Sequence, residues 1–426
     1  MVFIKALITN NHFSDKVYSV KQFHSKAYLV IVTLIAFSFP FVKATPLLIV
    51  LLAINWLIEG NFANKLKLLS INKVVLLFIS FYLLHIISAL YSDNLKVGLF
   101  DLQVKLSLLV FPIIVASSAP LTLKKTHNVY KALIGGLIIS TIIMLVRAYI
   151  FYGESNLTHH FFYHYLSSVF IHPSYLSMYI NLSICFLLYH YTNNTSSLTI
   201  RGKIIGAIIV LYLSFIVVLL SSRVGIAVLV LALTVFIIYQ LFAKRRLLIG
   251  VLCIAFLCIS IILTNMFLDQ VSNRVVELNS TLKNKTQSTN VNTQKSSAVR
   301  LLIWECAYNL FQEQPIFGYG NGDVNDKLNS KYEERGITLA RSLSLNAHNQ
   351  YLQTLLGTGM LGLILLGLIL AIPFALSIKY KNYLYTMFVI IVSINFLPES
   401  MLETQAGTMF FGYFNSVLFF HNQTKS

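Results

Sequence analysis

Charge is what this chain most lacks. Of its 426 residues only 11% are Asp, Glu, Lys or Arg, while 57% are apolar. A water-soluble domain carries about 25% charged residues, so a large soluble core does not account for the deficit. Acids are scarcer still, 15 against 32 lysines and arginines, for a net charge of +17. The basic residues come without an RNA-binding signature or an aromatic–basic ribbon, which excludes nucleic acid as a partner. Cysteine is sparse too. Cys185, Cys253 and Cys258 lie in apolar runs and Cys306 stands alone in a polar segment, so neither a disulfide framework nor a CxxC metal site is implied. The first 26 residues are polar and basic and contain no short apolar stretch followed by a small-residue cleavage site. They read as a cytoplasmic tail, not a removable signal.

What the sequence has instead is a succession of apolar runs broken by short polar gaps. They fall near 27–43, 45–60, 74–91, 99–117, 131–152, 174–191, 204–220, 224–243, 247–266, 350–378, 383–398 and 407–420. Runs of this kind are the signature of membrane-spanning helices. The expected fold is therefore an all-α polytopic membrane protein with about 12 transmembrane helices. The first two runs are short and flanked by Pro40 and Pro46, so they are expected to form one helical hairpin. The run at 350–378 is long enough to tilt or to project from the bilayer.

The gaps alternate in charge. One set holds Lys65, Lys67 and Lys73; Lys124, Lys125 and Lys131; Arg201 and Lys203; Lys244, Arg245 and Arg246; and Lys379 and Lys381. The other holds Asp93, Glu154, Glu399, Glu403 and the acids of the 267–348 segment. Positive gaps face the cytoplasm, so the second set faces outward and both termini are cytoplasmic. The expected organisation is a cytoplasmic tail over 1–26 and a transmembrane bundle over 27–266. A large, partly helical periplasmic loop follows over 267–348, then closing helices with a short tail over 349–426.

That loop is the one long hydrophilic segment. Its tract NSTLKNKTQSTNVNTQKSS is polar and low in apolar residues. RLLIWECAYNLFQEQP follows, in which Leu302, Trp304, Cys306, Leu310 and Phe311 suit an amphipathic helix on the membrane face, ended by Pro315. GYGNGD at 318–323 reads as a turn. A loop this long inside a compact protein is commonly functional.

Chemistry-bearing residues gather at the outward boundary. Arg223, in LLSSRVGIAVL, separates two apolar runs. Anchoring would be served equally by lysine, whereas arginine offers bidentate contacts to phosphate. Arg300 opens the loop helix. His348, in NAHNQYLQ, stands where the loop re-enters the membrane, beside Asn349 and Gln350, and an imidazole there can take or orient a hydroxyl proton. Glu399 and Glu403 lie in LPESMLETQAG and can orient an arginine or a sugar. Lys105, in DLQVKLSLLVFP, is a second candidate anion contact. His159, His160, His164 and His172 cluster in an outer gap, and the His160/His164 spacing suits two ligands on one helical face. Aromatic neighbours and few acids favour an interfacial belt there over a metal site. GTGMLG at 357–362 lacks the preceding strand that a dinucleotide fingerprint needs, so close helix packing explains it better. GYGNG lacks the GK[ST] ending of a P-loop.

The outward arginine in SSRVG, then RLLIWECAYNLFQEQPIFGYGNGD, AHNQYLQTLLGTGMLG and ESMLETQAGTMFF, together with HPSY at 172–175, resemble the O-antigen ligase and polymerase superfamily of bacterial inner-membrane proteins. The specific motifs cover about residues 220–412. The resemblance implies an all-helical fold related to the C-type glycosyltransferases and a donor glycan on undecaprenyl diphosphate. The acceptor would be lipid A–core or a growing glycan, among membrane lipids. Carried over motif by motif, Arg223 and Arg300 would hold the diphosphate and His348 would be catalytic. Lys105, His172, Asn349 and Glu399 would support them, with no cofactor or metal. Ligation of a finished polysaccharide is the first reading and repeat-unit polymerisation the second. A transporter or flippase is the reading from another class; it calls for internal repeats and mid-membrane ionisable groups. No repeat is evident, and Lys105, His85 and Arg147 are the few mid-run candidates.

Overall fold

The structure is a computed structural model and describes residues 22–193, 198–243 and 297–420. The apolar run at 247–266, the basic Lys244–Arg246 gap and most of the Asn/Thr/Lys tract lie outside the described residues. Among the described residues every regular element is helical, as the sequence leads one to expect. The chain runs from α1 (22–38) through α2 (Thr45–Glu59), α3 (Phe62–Ile71) and α4 (Lys73–Leu90). Then come α5 (Leu95–Lys105), α6 (Ser107–Ser117), α7 (Leu123–Ser155) and the short α8 (Tyr163–Ser167). α9 (Pro173–Asn193), α10 (Ile200–Leu219) and α11 (Arg223–Ile238) complete the first bundle. α12 (Ser297–Glu313), α13 (Val324–Glu334) and α14 (Thr338–Ser342) form a polar module. α15 (Gln350–Lys379), α16 (Tyr383–Asn395) and α17 (Gln405–Phe420) follow.

Six described helices are long and apolar enough to cross a membrane, or seven if α2 and α3, bent by 114°, count as one broken span. The expected twelve is thus not reached among the described residues. The reason is physical. Over the described residues α16 is shorter than a bilayer requires, α9 carries Ser, Asn and Tyr at buried positions in place of a uniformly apolar surface, and the 247–266 run lies outside them. The bend between α2 and α3 occurs at Gly60 and Asn61, both with left-handed backbone (φ 67° and 57°). α1 and α2 do form the expected hairpin. Their far ends are tied by His24 Nδ1 and Asn55 Oδ1 at 2.9 Å.

α17 is the central post. Every residue from Ala406 to Phe420 is buried. Its Gly412 admits α6 so closely that a Cβ there would stand 2.7 Å from the Ser107 carbonyl. Thr408 Oγ1 donates to the Val104 carbonyl and the Tyr413 hydroxyl to that of Val32. Phe39 and Tyr179 stack on Phe410 of α17, with ring centroids 4.3–5.7 Å apart in the pairs Tyr179–Phe410, Phe39–Phe410 and Phe39–Tyr179. Such pairs add to the area that the rings bury.

The polar gaps cap the helices. Asn72, Asn94, Ser222, Asn349 and Asn382 each accept a backbone N–H in the first turn of the helix that follows. The polar module has a core of its own, where Ile303, Cys306, Ala307 and Leu310 meet Val324, Leu328, Tyr332 and Leu356. The apolar face of α12 is therefore covered by protein. The sequence correctly indicates an amphipathic helix, but its apolar face packs on α13 and α15 and not on the membrane face as expected.

GYGNGD docks this module between α4 and α15. Tyr319 N and Gly320 N donate to the carbonyls of Leu356 and Gly357, and Met360 N donates to that of Pro315. α15 is broken at Gly359 (φ 64°, ψ −161°), where a Cβ would lie 2.1 Å from the Ile316 carbonyl oxygen. GTGMLG thus receives loop backbone as well as the expected neighbouring helix, since Ser88 of α4 donates to the Gly357 carbonyl at 2.8 Å. From the other side, Ser88 Oγ and Ser92 Oγ accept from Asn321 N and Gly322 N. The Asp323 carboxylate accepts from Asp93 N and Asn94 N at 2.8 Å each.

Candidate active site

The site is built on Glu399, in the turn between α16 and α17. Its side chain is only 12% exposed. Arg300, from the first turn of α12, donates through Nη2 to Glu399 Oε1 at 3.0 Å. Ser174 Oγ, from the first turn of α9, donates to the same oxygen at 3.4 Å. His348 Nδ1 stands 3.6 Å from Glu399 Oε2, an electrostatic contact longer than a hydrogen bond. Three segments far apart in sequence thus converge on one carboxylate. Burial alone would push that carboxyl up. His348, Arg300 and His172 outweigh burial and hold it below its ordinary value.

His348 has positive φ (45°), a conformation that histidine adopts more readily than most residues. Its neighbours are fixed on every side. His348 N donates to Asn346 Oδ1. Trp304 Nε1 donates to the Ala347 carbonyl at 3.0 Å, and Ala347 N donates to Gln353 Oε1. Asn349 N donates to Ser400 Oγ, while the Asn349 side chain caps α15 by accepting from Leu352 N. Asn349 is thereby held as a cap beside the histidine.

The remaining predicted residues fall as follows. His172 precedes α9 and accepts from Ser174 N at 3.3 Å, close enough to Glu399 to act on its charge. Arg223 is the first residue of α11 and is exposed. Its helix packs on the early turns of α9. A Cβ on Gly225 would fall 2.5 Å from Ser177, and Asn181 Nδ2 donates to the Gly225 carbonyl. Arg223 is therefore presented beside the helix whose Ser174 reaches Glu399. Lys105 is buried and pairs with Asp101 and with Glu403 Oε2, the latter at 2.8 Å. Its ammonium is turned towards carboxylates. His160 and His164 do not share a helical face: His160 lies in a 3-10 turn and contacts Ser155, and His164 lies in α8. Among the described residues no three His, Cys, Asp or Glu side chains are grouped to hold a metal ion.

Sequence reasoning did not assign the contacts of Ser174, Trp304 and Ser400 or the pairing of Lys105 with Glu403. Each acts through a hydrogen bond or ion pair to a distant segment, and no local spacing signals that. HPSY is the one local cue, since its Ser174 is the donor.

The arrangement joins a carboxylate, an imidazole with one ring nitrogen turned to that carboxylate, and an arginine paired with it. A family model described as O-antigen ligase matches residues 208–367. An uncharacterized protein of Haemophilus influenzae is 26% identical over 193 residues, covering 43% of this chain and 47% of that protein. The chain thus spans about half the length of that relative. The matched stretch, residues 208–367, is the one that carries Arg223, Arg300 and His348, and it is similar to the O-antigen ligase family.

Proposed function

We propose that this protein is a membrane glycosyltransferase of the ligase and polymerase type. It would move a glycan from undecaprenyl diphosphate to an acceptor hydroxyl on the periplasmic side of the bacterial inner membrane, with ligation to lipid A–core as the leading reading. The observation that carries the reading is the convergence of His348 and Arg300 on the buried Glu399 carboxylate, within and beside the family-matched stretch.

The chemistry follows from that geometry. Glu399 faces Nδ1 of His348, which favours the proton on that nitrogen and leaves Nε2 to accept one. An acceptor hydroxyl gives its proton to Nε2 as its oxygen attacks the anomeric carbon. The bond from that carbon to the diphosphate oxygen breaks, and undecaprenyl diphosphate departs with the electron pair. Direct displacement inverts the anomeric centre. Arg223 and Arg300 stabilise the charge that grows on the leaving diphosphate. Arg300 engages Glu399 through Nη2 alone, and its side chain is 34% exposed, so the rest of its fork is available to a ligand. General-base assistance of this kind contributes about 10²–10⁴-fold.

The experiment is deletion of the gene in its host, with analysis of lipopolysaccharide and of the lipid-linked intermediates. Full-length polymer held on undecaprenyl diphosphate over bare lipid A–core is the expected result for a ligase. Lipid A–core capped with a single repeat would assign polymerisation instead. Unchanged pools would reject both.

A further inference from the structure

Beside the Glu399 turn lies a buried ionic cluster that the mechanism above does not use. Lys105, the last residue of α5, is 2% exposed and contacts Asp101 one turn earlier. It reaches across to Glu403 Oε2 at 2.8 Å. The second oxygen of Glu403 lies 3.4 Å from Gln350 Nε2. Gln350 Oε1 accepts from Leu402 N at 2.6 Å, and Gln350 N donates to the Phe396 carbonyl at 2.8 Å. With the bond from Asn349 N to Ser400 Oγ, these contacts knit residues 396–403 to residues 349–350. Glu399 sits within the first segment, and His348 immediately precedes the second. Lys105 is the point at which this knitted unit is fastened to α5.

A buried ion cluster is a poor way to gain stability, since apolar residues of similar volume serve as well or better. What it supplies is a fixed geometry, because a charge with two carboxylates around it tolerates little displacement. Removing Lys105 leaves Asp101 and Glu403 facing each other without a cation, so the pair must take up a proton or move apart, and either changes what holds the 399–403 turn.

We propose that Lys105 is a positioning residue: through Glu403 and Gln350 it sets where Glu399 stands relative to His348 and Arg300. The proposal rests on the reading of that trio as the transfer site. A double-mutant cycle tests it. Wild type, Lys105→Met, Glu399→Gln and the double variant are returned to the deletion host at equal membrane abundance, and the rate of glycan transfer is measured. Displacement by about 1 Å can cost 10²-fold, so Lys105→Met is expected to lower transfer by about 10–10²-fold. If Lys105 acts through Glu399, the double variant matches Glu399→Gln to within about twofold, the scatter of independent sites. Losses that multiply, or full activity of Lys105→Met, overturn the proposal. Should Lys105→Met fail to accumulate, Glu403→Gln enters the same cycle with the same criteria. Failure of both to accumulate assigns the cluster to stability alone and also overturns it. If wild type itself restores no transfer, the functional reading falls first. If wild type restores transfer and the losses multiply, only the role of Lys105 falls.

Discussion

The indole nitrogen of Trp304 donates to the carbonyl of Ala347 at 3.0 Å. Trp304 lies one turn after Arg300 on α12, and Ala347 precedes His348, so this hydrogen bond ties the arginine's helix directly to the segment that carries the imidazole. Trp304→Phe keeps most of the apolar surface and removes the donor. It should lower thermal stability only slightly, by about 0.5–1.5 kcal/mol, while transfer falls by much more. Transfer that follows protein abundance alone would show that the bond has no part in the site.

Arg223→Lys and Arg300→Lys keep the charge and lose the planar fork. Each should reduce the transfer rate, by about 10–10²-fold if a donor to the developing anion is lost. Glycan transfer at matched membrane levels is the measurement. A wild-type rate in either variant rejects the bidentate role of that arginine.

Glu399 is held below its ordinary carboxylate value of 4.5. The unfolded chain therefore binds more protons than the folded one as pH drops through this range. The ion pairs of Glu399 contribute stability that is fully present above the unfolded value and is lost as pH falls through the lower, folded one. The difference in Tm between wild type and Glu399→Gln should be flat from about pH 6 to 8 and should shrink below about pH 4. A difference that instead grew on acidification would contradict the depressed value.

Gly359 breaks α15 at φ 64° and ψ −161°, against the Ile316 carbonyl. Gly359→Ala meets both a glycine-only backbone region, at about 1–3 kcal/mol, and a direct clash. Membrane abundance and Tm should both drop. Gly367→Ala, on the same helix with open space around its Cβ position, should be tolerated and serves as the control.

The sequence made the helical, membrane-type character of the chain legible, because an apolar run announces itself residue by residue. It also brought Arg300, His348 and Glu399 to one boundary, since charge alternation along the gaps sorts residues by side. It did not reveal that α17 is wrapped by protein, because a helix buried in a bundle and one facing lipid have the same composition. Nor could it show that Lys105 faces Glu403, 298 positions away. A lone lysine in an apolar run reads alike whether it meets an anionic ligand or a carboxylate of its own chain. GTGMLG was ambiguous for a similar reason, since small residues admit any backbone, and only the fold identifies it as that of Pro315–Gly320.

The enclosure of α17 bears on how the protein is made. Its 16 described residues rise about 24 Å, against roughly 30 Å for a bilayer's hydrocarbon core. Its surface from Ala406 to Phe420 meets protein throughout. Its burial needs α6, α9 and α16 in place, so its packing is expected to depend on theirs. A chain whose α6 or α9 is badly placed should leave its closing segment unsheltered, where quality-control proteases can reach it. Losses of abundance from variants scattered across the amino-terminal half would then share one cause, located at residues 405–420.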